Sequence, residues 1–147
     1  MSTPAHVERR VRDSFSRQRF MATIGARLTR VGEGEAVIEM PVRPEVTQQH
    51  GFVHAGVVAA LADSACGYAA LSLMDSDAAV LSVEFKVNLL APAAGDRLTA
   101  TGTVVKAGRT LTVCRGEVTA QRGAESVAVA VMQATMMSVR DRAGLSD

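Results

Sequence analysis

The run from Ala55 to Met74, AGVVAALADSACGYAALSLM, constrains the fold more than any other stretch of the chain. Alanine and leucine dominate it, and both favour helix. It dissolves into MDSDAA at its end, which reads as a helix stop. Such a rod is ~30 Å long, the width of a small domain. Polar residues are scarce on every side, so it must be covered on most of its faces. Yet one acid, Asp63, sits in its middle. A carboxylate set among apolar neighbours needs a reason.

The segments around this helix read as follows. His6 to Phe20 has Val7, Val11, Phe15 and Phe20 along one side and predicts a basic helix. Its arginines read as a solvated face, with a role in holding an anionic ligand as the other option. From Ile24 to Val42 two short strands flank the turn GEG, Gly32 to Gly34, and Ala36, Ile38 and Met40 alternate with Val37 and Glu39. Pro44 to Val53 is loop. After the long helix come four strand-like runs: Val80–Leu90, Leu98–Val105, Leu111–Ala120 and Ser126–Val139. They are separated by APAAGD, KAGRT and QRGAE, which carry turn residues. Strands joined by short turns predict an antiparallel sheet. The expected class is therefore α+β, with one long helix against one curved antiparallel sheet of five to six strands and an extra N-terminal helix. One domain, 1–147, is expected, with the helix at 6–20 and the core at 24–139. The sheet covers one side of the helix only, so a second copy of the chain is expected on the other.

Composition removes several function classes. A net charge of +1 gives no field for nucleic acid or an anionic membrane. Aromatics make up 3% of residues, too few for base-stacking platforms. No uncharged run reaches the ~20 residues of a membrane span, and the polar start lacks the apolar core of a signal peptide. A cytoplasmic protein is expected. Cys66 and Cys114 lie far apart in apolar stretches and read as reduced core thiols. No CxxC pair and no HExxH is present, so no metal is expected, and no G-x-S-x-G marks a serine nucleophile.

The start of the long helix carries the chemistry. His54-Ala55-Gly56 is followed by Asp63, nine residues after the histidine, within GVVAALAD. Downstream, LSVEFKVNLLAPAAGDRLTATGTVVKAGRTLTV spans Leu81 to Val113, with a Pro-Ala-x-Gly corner and a Lys-x-Gly-Arg-Thr turn. Together these blocks resemble the hotdog-fold acyl-CoA thioesterases, and specifically the PaaI-like, phenylacetate-pathway branch. The likeness covers roughly Gly25 to Met137. Two positions depart from the family pattern. The middle glycine of His-Gly-Gly is Ala55, and the asparagine six residues before the histidine is Gln48. Both bear on substrate preference and rate more than on fold. The resemblance implies a coenzyme A thioester as substrate with no other cofactor, a site shared across a homodimer, and a dimer of dimers. It also places Ser82 where the family orients the attacking water.

Thioester hydrolysis needs a stabilised oxyanion, an activated water and a held carbonyl. The first N–H groups of a helix lack intrahelical partners, and the helix dipole adds positive potential there. Ala55 N–H is the first candidate donor, Gly56 N–H the next, and the Gln48 amide a second donor to the same oxygen. Asp63 is the candidate base or direct nucleophile, its pKa expected to be raised in an apolar wall. It lies eight residues past Ala55, so ~12 Å along one helix, too far for one carbonyl to meet both. Two antiparallel helices in a dimer remove the difficulty: each acid serves the other's helix end.

The remaining candidates carry simpler readings beside the functional ones. His54 can cap or brace the loop. His50 is a loop histidine within possible reach of the ligand. Lys106 and Arg109, flanking Gly108, suit the phosphates of coenzyme A or form a basic hairpin tip. Phe52, Val53 and Cys66 are expected around the acyl group. Strand parity puts Ser82 with Glu84 and Lys86, opposite Val83, Phe85 and Val87, so Ser82 points away from a helix on the valine face unless a bulge turns it. A non-catalytic acyl-CoA binding module on the same scaffold is the competing function. A hydratase has less support, because His54 and Asp63 stand too far apart on one helix.

Overall fold

A computed structural model of the chain describes residues 2–147. Two helices open it, α1 (Ala5–Arg17) and α2 (Arg19–Thr23), followed by strands β1 (Arg27–Gly32) and β2 (Glu35–Pro41). A 3-10 turn, Pro44–Val46, leads to the long helix α3 (Ala55–Leu71). Strands β3 (Ala79–Leu89), β4 (Arg97–Ala107), β5 (Leu111–Arg122) and β6 (Glu125–Val139) complete it. The six strands form one antiparallel sheet in the order β1-β2-β4-β5-β6-β3. This is the α+β arrangement expected, a central helix wrapped by a curved sheet. No helix among the described residues is long and apolar enough to cross a membrane.

Small residues let the helix sit directly on the sheet. Gly102 of β4 pairs with Gly116 of β5. A Cβ on Gly102 would lie 2.3 Å from the backbone carbonyl of Ala65. One on Gly116 would meet Cys66 Sγ at 3.1 Å. The backbone of α3 therefore rests against bare β4, and Ala62, Ala65, Cys66 and Ala69 pack around the contact fully buried. Alternation along the strands supplies the rest of the core, with Ile38 and Met40 from β2, Leu98 and Ala100 from β4, Val118 from β5, and Ala134 and Met136 from β6.

Four expectations need correction. The first helix does not run unbroken to Phe20. It stops at Gln18, whose backbone is extended (φ −80°, ψ 97°), and the break turns Phe20 outward to 48% exposure. The central helix ends at Leu71 and not at Met74, because Ser72 takes over: its hydroxyl donates to Ala69 O at 2.7 Å and accepts from Gly34 N at 2.8 Å. The side of α3 away from the sheet is not left wholly bare. Phe15 of α1 meets Tyr68 edge-to-face, ring centroids 5.5 Å apart, and covers the C-terminal half. Gly56, Val57, Ala59, Ala60, Asp63 and Gly67 remain half-buried or exposed. Finally, β3 has a bulge. Ser82 pairs with Met136 and Glu84 with Thr135, so Val83 is the extra residue. Parity is reset across it, and Ser82 shares the helix-facing side with Phe85, Val87 and Leu89, not with Glu84 and Lys86.

The helix–sheet contact makes a direct prediction. Gly102→Ala forces α3 off the sheet, and we expect a loss of roughly 2–3 kcal/mol of stability in urea unfolding. An unchanged midpoint would show that the helix–sheet contact accommodates a methyl group.

Candidate active site

Backbone hydrogen bonds fix the start of α3. His54 N–H donates to Val46 O at 2.9 Å, and Val53 N–H donates to Ala93 O at 2.9 Å. The loop before the helix is thereby tied to the 3-10 turn and to the Pro92-Ala93 corner. His54 is the N-cap residue: its Nδ1 accepts from Gly56 N–H at 2.8 Å. That bond leaves the histidine proton on Nε2. It also explains Gly56, since a Cβ there would lie 3.0 Å from Nδ1. The Gly56 N–H, expected to stand close behind as a second donor, is consumed by its own cap. Ala55 N–H has no acceptor among the described residues. Ala55 occupies the first helical position, where a negative φ is normal, and the chain's one non-glycine residue with positive φ among those described is Asp141. Alanine in place of the motif glycine is therefore unstrained.

A cavity of about 620 Å³ opens at this helix end. Ala55, Gln48, His54, Phe52, Val53 and Val129 contribute to its wall. The Pro92 corner closes one side of it. Gln48 bends back on its own turn, where its Oε1 accepts from His50 N–H at 2.5 Å. Its Nε2 keeps both hydrogens free of acceptors among the described residues. His50 is exposed and lies outside the cavity wall. Cys66, expected near the acyl group, is wholly buried in the helix–sheet contact and lines none of this space.

Asp63 lies two turns further along α3, on the flank that looks toward β3. Ser82 Oγ donates to Asp63 Oδ1 at 2.7 Å, a contact that the Val83 bulge makes possible. Burial pushes the Asp63 carboxyl above the usual carboxylate range, and the Ser82 bond pulls it part of the way back. Asp63 and Ser82 line a second, smaller cavity of about 150 Å³ with Gln18, Ser64, Tyr68 and Asp147. Those last four escaped the sequence reading. Ser64 had one signal, its place beside Asp63. Gln18 and Asp147 come from chain segments far from it, and nothing local marks them.

Lys106, Gly108 and Arg109 form an exposed hairpin tip closed by Gly108 N–H to Leu111 O at 2.9 Å. Strand directions put this tip at the end of the sheet where β3 begins, near Ser82, and away from the Ala55 end where β3 finishes. Within one chain it does not face the larger cavity. The two thiols are free and buried. Burial pushes the Cys66 thiol up, with Cys114 and Asp63 adding to the effect, and pushes Cys114 up to about 11. Neither is poised as a nucleophile. No group of three or more His, Cys, Asp or Glu side chains that could hold a metal occurs among the described residues.

Known proteins share this architecture. The family model described as the thioesterase superfamily matches residues 50–127, from the loop before α3 into β6. The 1,4-dihydroxy-2-naphthoyl-CoA hydrolase of Listeria monocytogenes is 31% identical over 97 residues, 66% of this chain and 79% of its own. A thioesterase family protein from Silicibacter pomeroyi superposes with a TM-score of 0.90 at 52% identity, over 91% of this chain and 98% of that one. The PaaI protein of the E. coli phenylacetic acid degradation operon superposes with a TM-score of 0.85 at 25% identity, over 99% of both chains. The chain belongs to the thioesterase superfamily, in the PaaI-like branch of the hotdog fold.

Proposed function

We propose that the chain hydrolyses an acyl-CoA to the free acid and coenzyme A, in sites that two copies of the chain build together. The observation that carries the reading is Asp63, a half-buried carboxylate with a raised pKa and Ser82 as its hydrogen-bond donor. In one protomer the free Ala55 N–H receives the thioester oxygen, and Gln48 Nε2 is the second donor. The partner's Asp63 supplies the base or nucleophile. As base it takes a proton from water while the water oxygen bonds to the carbonyl carbon. Collapse of the tetrahedral intermediate then breaks the C–S bond, and the thiolate leaves and takes up a proton. Ser82 occupies one carboxylate oxygen and leaves the other to the water.

Three features support a shared site. Ala55 and Asp63 are separated by ~12 Å along one continuous helix. Strand β3 is an edge, and it exposes Leu81, Val83, Phe85 and Leu89, a liability that pairing with another strand removes. The uncovered stripe of α3 that includes Asp63 lies beside that same edge. Head-to-tail pairing brings one chain's Ala55 to the other's Asp63. It also carries the Lys106–Arg109 tip toward the larger cavity, where its cations suit the coenzyme A phosphates.

A panel of acyl-CoAs with a thiol-detecting dye tests the activity. Asp63→Asn should lower turnover by about 10²–10⁴-fold. Tight binding of acyl-CoA without release by the unaltered protein would identify a binding module instead. Asp63→Asn protein mixed with an inactive Ala55→Pro variant, which lacks the N–H, should regain part of the activity once heterodimers form. Heterodimers that stay inactive would rule out shared sites.

The pH dependence follows from the sign of the Asp63 shift. An ionised Asp63 is the active form, so the acid limb of kcat/KM should lie above the ordinary carboxylate pKa. Ser82 donates to the charged form, and Ser82→Ala should move that limb to higher pH. Because folding raises this pKa, the stability linked to Asp63 is present below the ordinary carboxylate pKa and is lost as pH rises through the folded value. Asp63→Asn should therefore raise the Tm at neutral pH while it abolishes hydrolysis. A lowered Tm would mean that the carboxylate is a structural partner and not a strained functional one.

A further inference from the structure

The smaller cavity has a built end wall. Asp63 and Ser82 line it at one end of the α3 flank, and Ser64, Gly67, Tyr68, Gln18 and Asp147 line it further along. From Asp63 to Tyr68 the helix rises ~7.5 Å. The wall is held by its own bonds. Gln18 Nε2 donates to Tyr68 OH at 2.9 Å, and Ser64 Oγ donates to Gln18 Oε1 at 3.1 Å. Asp147 Oδ1 accepts from Ser14 Oγ at 2.6 Å, and its Oδ2 accepts from Val80 N–H at 2.7 Å. The segment that brings Asp147 here is pinned at its start too, where Arg140 pairs with Asp75 at 2.8 Å and Asp77 at 3.7 Å. Beyond the wall lies a separate cavity of about 460 Å³, edged by His6, Arg9, Arg10, Asp13 and Arg17. Asp147 lines both spaces and is the partition between them.

We infer that Asp147, carried on the segment after β6, closes the far end of the acyl pocket and sets the length of acyl group the enzyme takes. The inference rests on the thioester-hydrolase reading, with the acyl group directed past Asp63 into the smaller cavity. The depth suits acyl groups no longer than hexanoyl. A longer alkyl chain has to displace a carboxylate that is bonded to both α1 and the edge of β3, and the wall it meets is polar, so desolvation opposes it as well as shape. Removing the partition joins the pocket to the arginine-edged cavity and gives the chain room.

The test is kcat/KM for straight-chain acyl-CoAs from butanoyl to dodecanoyl, read by release of free thiol. The unaltered protein should lose efficiency beyond hexanoyl. Asp147→Ala should raise the ratio of decanoyl to butanoyl efficiency roughly tenfold or more. Asp147→Asn keeps the shape of the partition and should keep the length limit. Gly67→Leu gives the opposite result by design. A Cβ at Gly67 meets nothing within 4 Å, so the substitution begins in open space beside the pocket and should lower hexanoyl turnover more than butanoyl turnover. If the unaltered protein releases coenzyme A but neither Asp147→Ala nor Gly67→Leu moves the length profile, the partition does not bound the acyl group and the inference is wrong. If the unaltered protein releases none from any substrate, the hydrolase reading falls and this inference with it.

Discussion

The structure depends on one contact, the backbone of α3 against Gly102, with the side chains of Cys66 and Ala62 against Gly116 beside it. A helix that rests on side chains stands off from its sheet by their thickness, and a helix on bare glycine comes closer. Once Ala65 and Cys66 are set against β4 and β5, the rotation of the helix is fixed. Each residue advances about 100°, so Ala62, Ala65 and Ala69 face the sheet while Asp63 turns to the flank. That flank is where β3 runs. The acid therefore meets Ser82, at a depth shallow enough to stay in contact with a cavity and deep enough to raise its pKa. The same rotation sends Tyr68 toward α1, where Phe15 closes on it.

Periodicity made the scaffold legible. The helix of small and apolar residues, the alternation through Ala36, Ile38 and Met40, and the turn residues at Gly34 and Gly123 are local signals, and each element formed where those signals lie. Events that local pattern does not encode were missed. Regular parity turns Ser82 away from the helix unless a bulge intervenes, and nothing in VLSVEFKV decides between the two; Val83 is the extra residue that turns it inward. Gln18 breaks the first helix without a proline or glycine, and its role comes from partners 46 and 50 residues away. The end wall at Asp147 is tertiary in the same sense, with its bonds spanning 67 and 133 residues of chain.

The helix start shows how a capping bond selects among donors. A helix begins with several orphan N–H groups, which is why both Ala55 and Gly56 were candidates. His54 settles the choice. By accepting from Gly56 it removes one donor and leaves Ala55, which lines the larger cavity, as the free one, and the bond from its own N–H to Val46 O anchors the turn before them. The histidine thus acts on the site as a positioning group. In the proposed reaction its effect would be to define which amide meets the substrate. The Gln48 turn works alike, spending its amide oxygen on the loop and leaving its amide nitrogen for the cavity.

Three unfavourable features occupy one flank of the molecule: a half-buried carboxylate, an unpaired strand edge, and a partly bare helix stripe. Any one alone is ordinary in a folded chain. Their coincidence is not explained by packing, because leucine at position 63 or a charged edge on β3 would be cheaper in every case. The proposed pairing of two chains would relieve two of them and use the third. When the β3 edges of two chains pair, the strand finds its partner and the α3 stripes close on each other. In the proposed pairing the carboxylate would stay desolvated and face the free amide at the other helix's start. The destabilising charge is the one feature that such pairing would leave in place, and it is the group to which the proposed hydrolysis assigns the base.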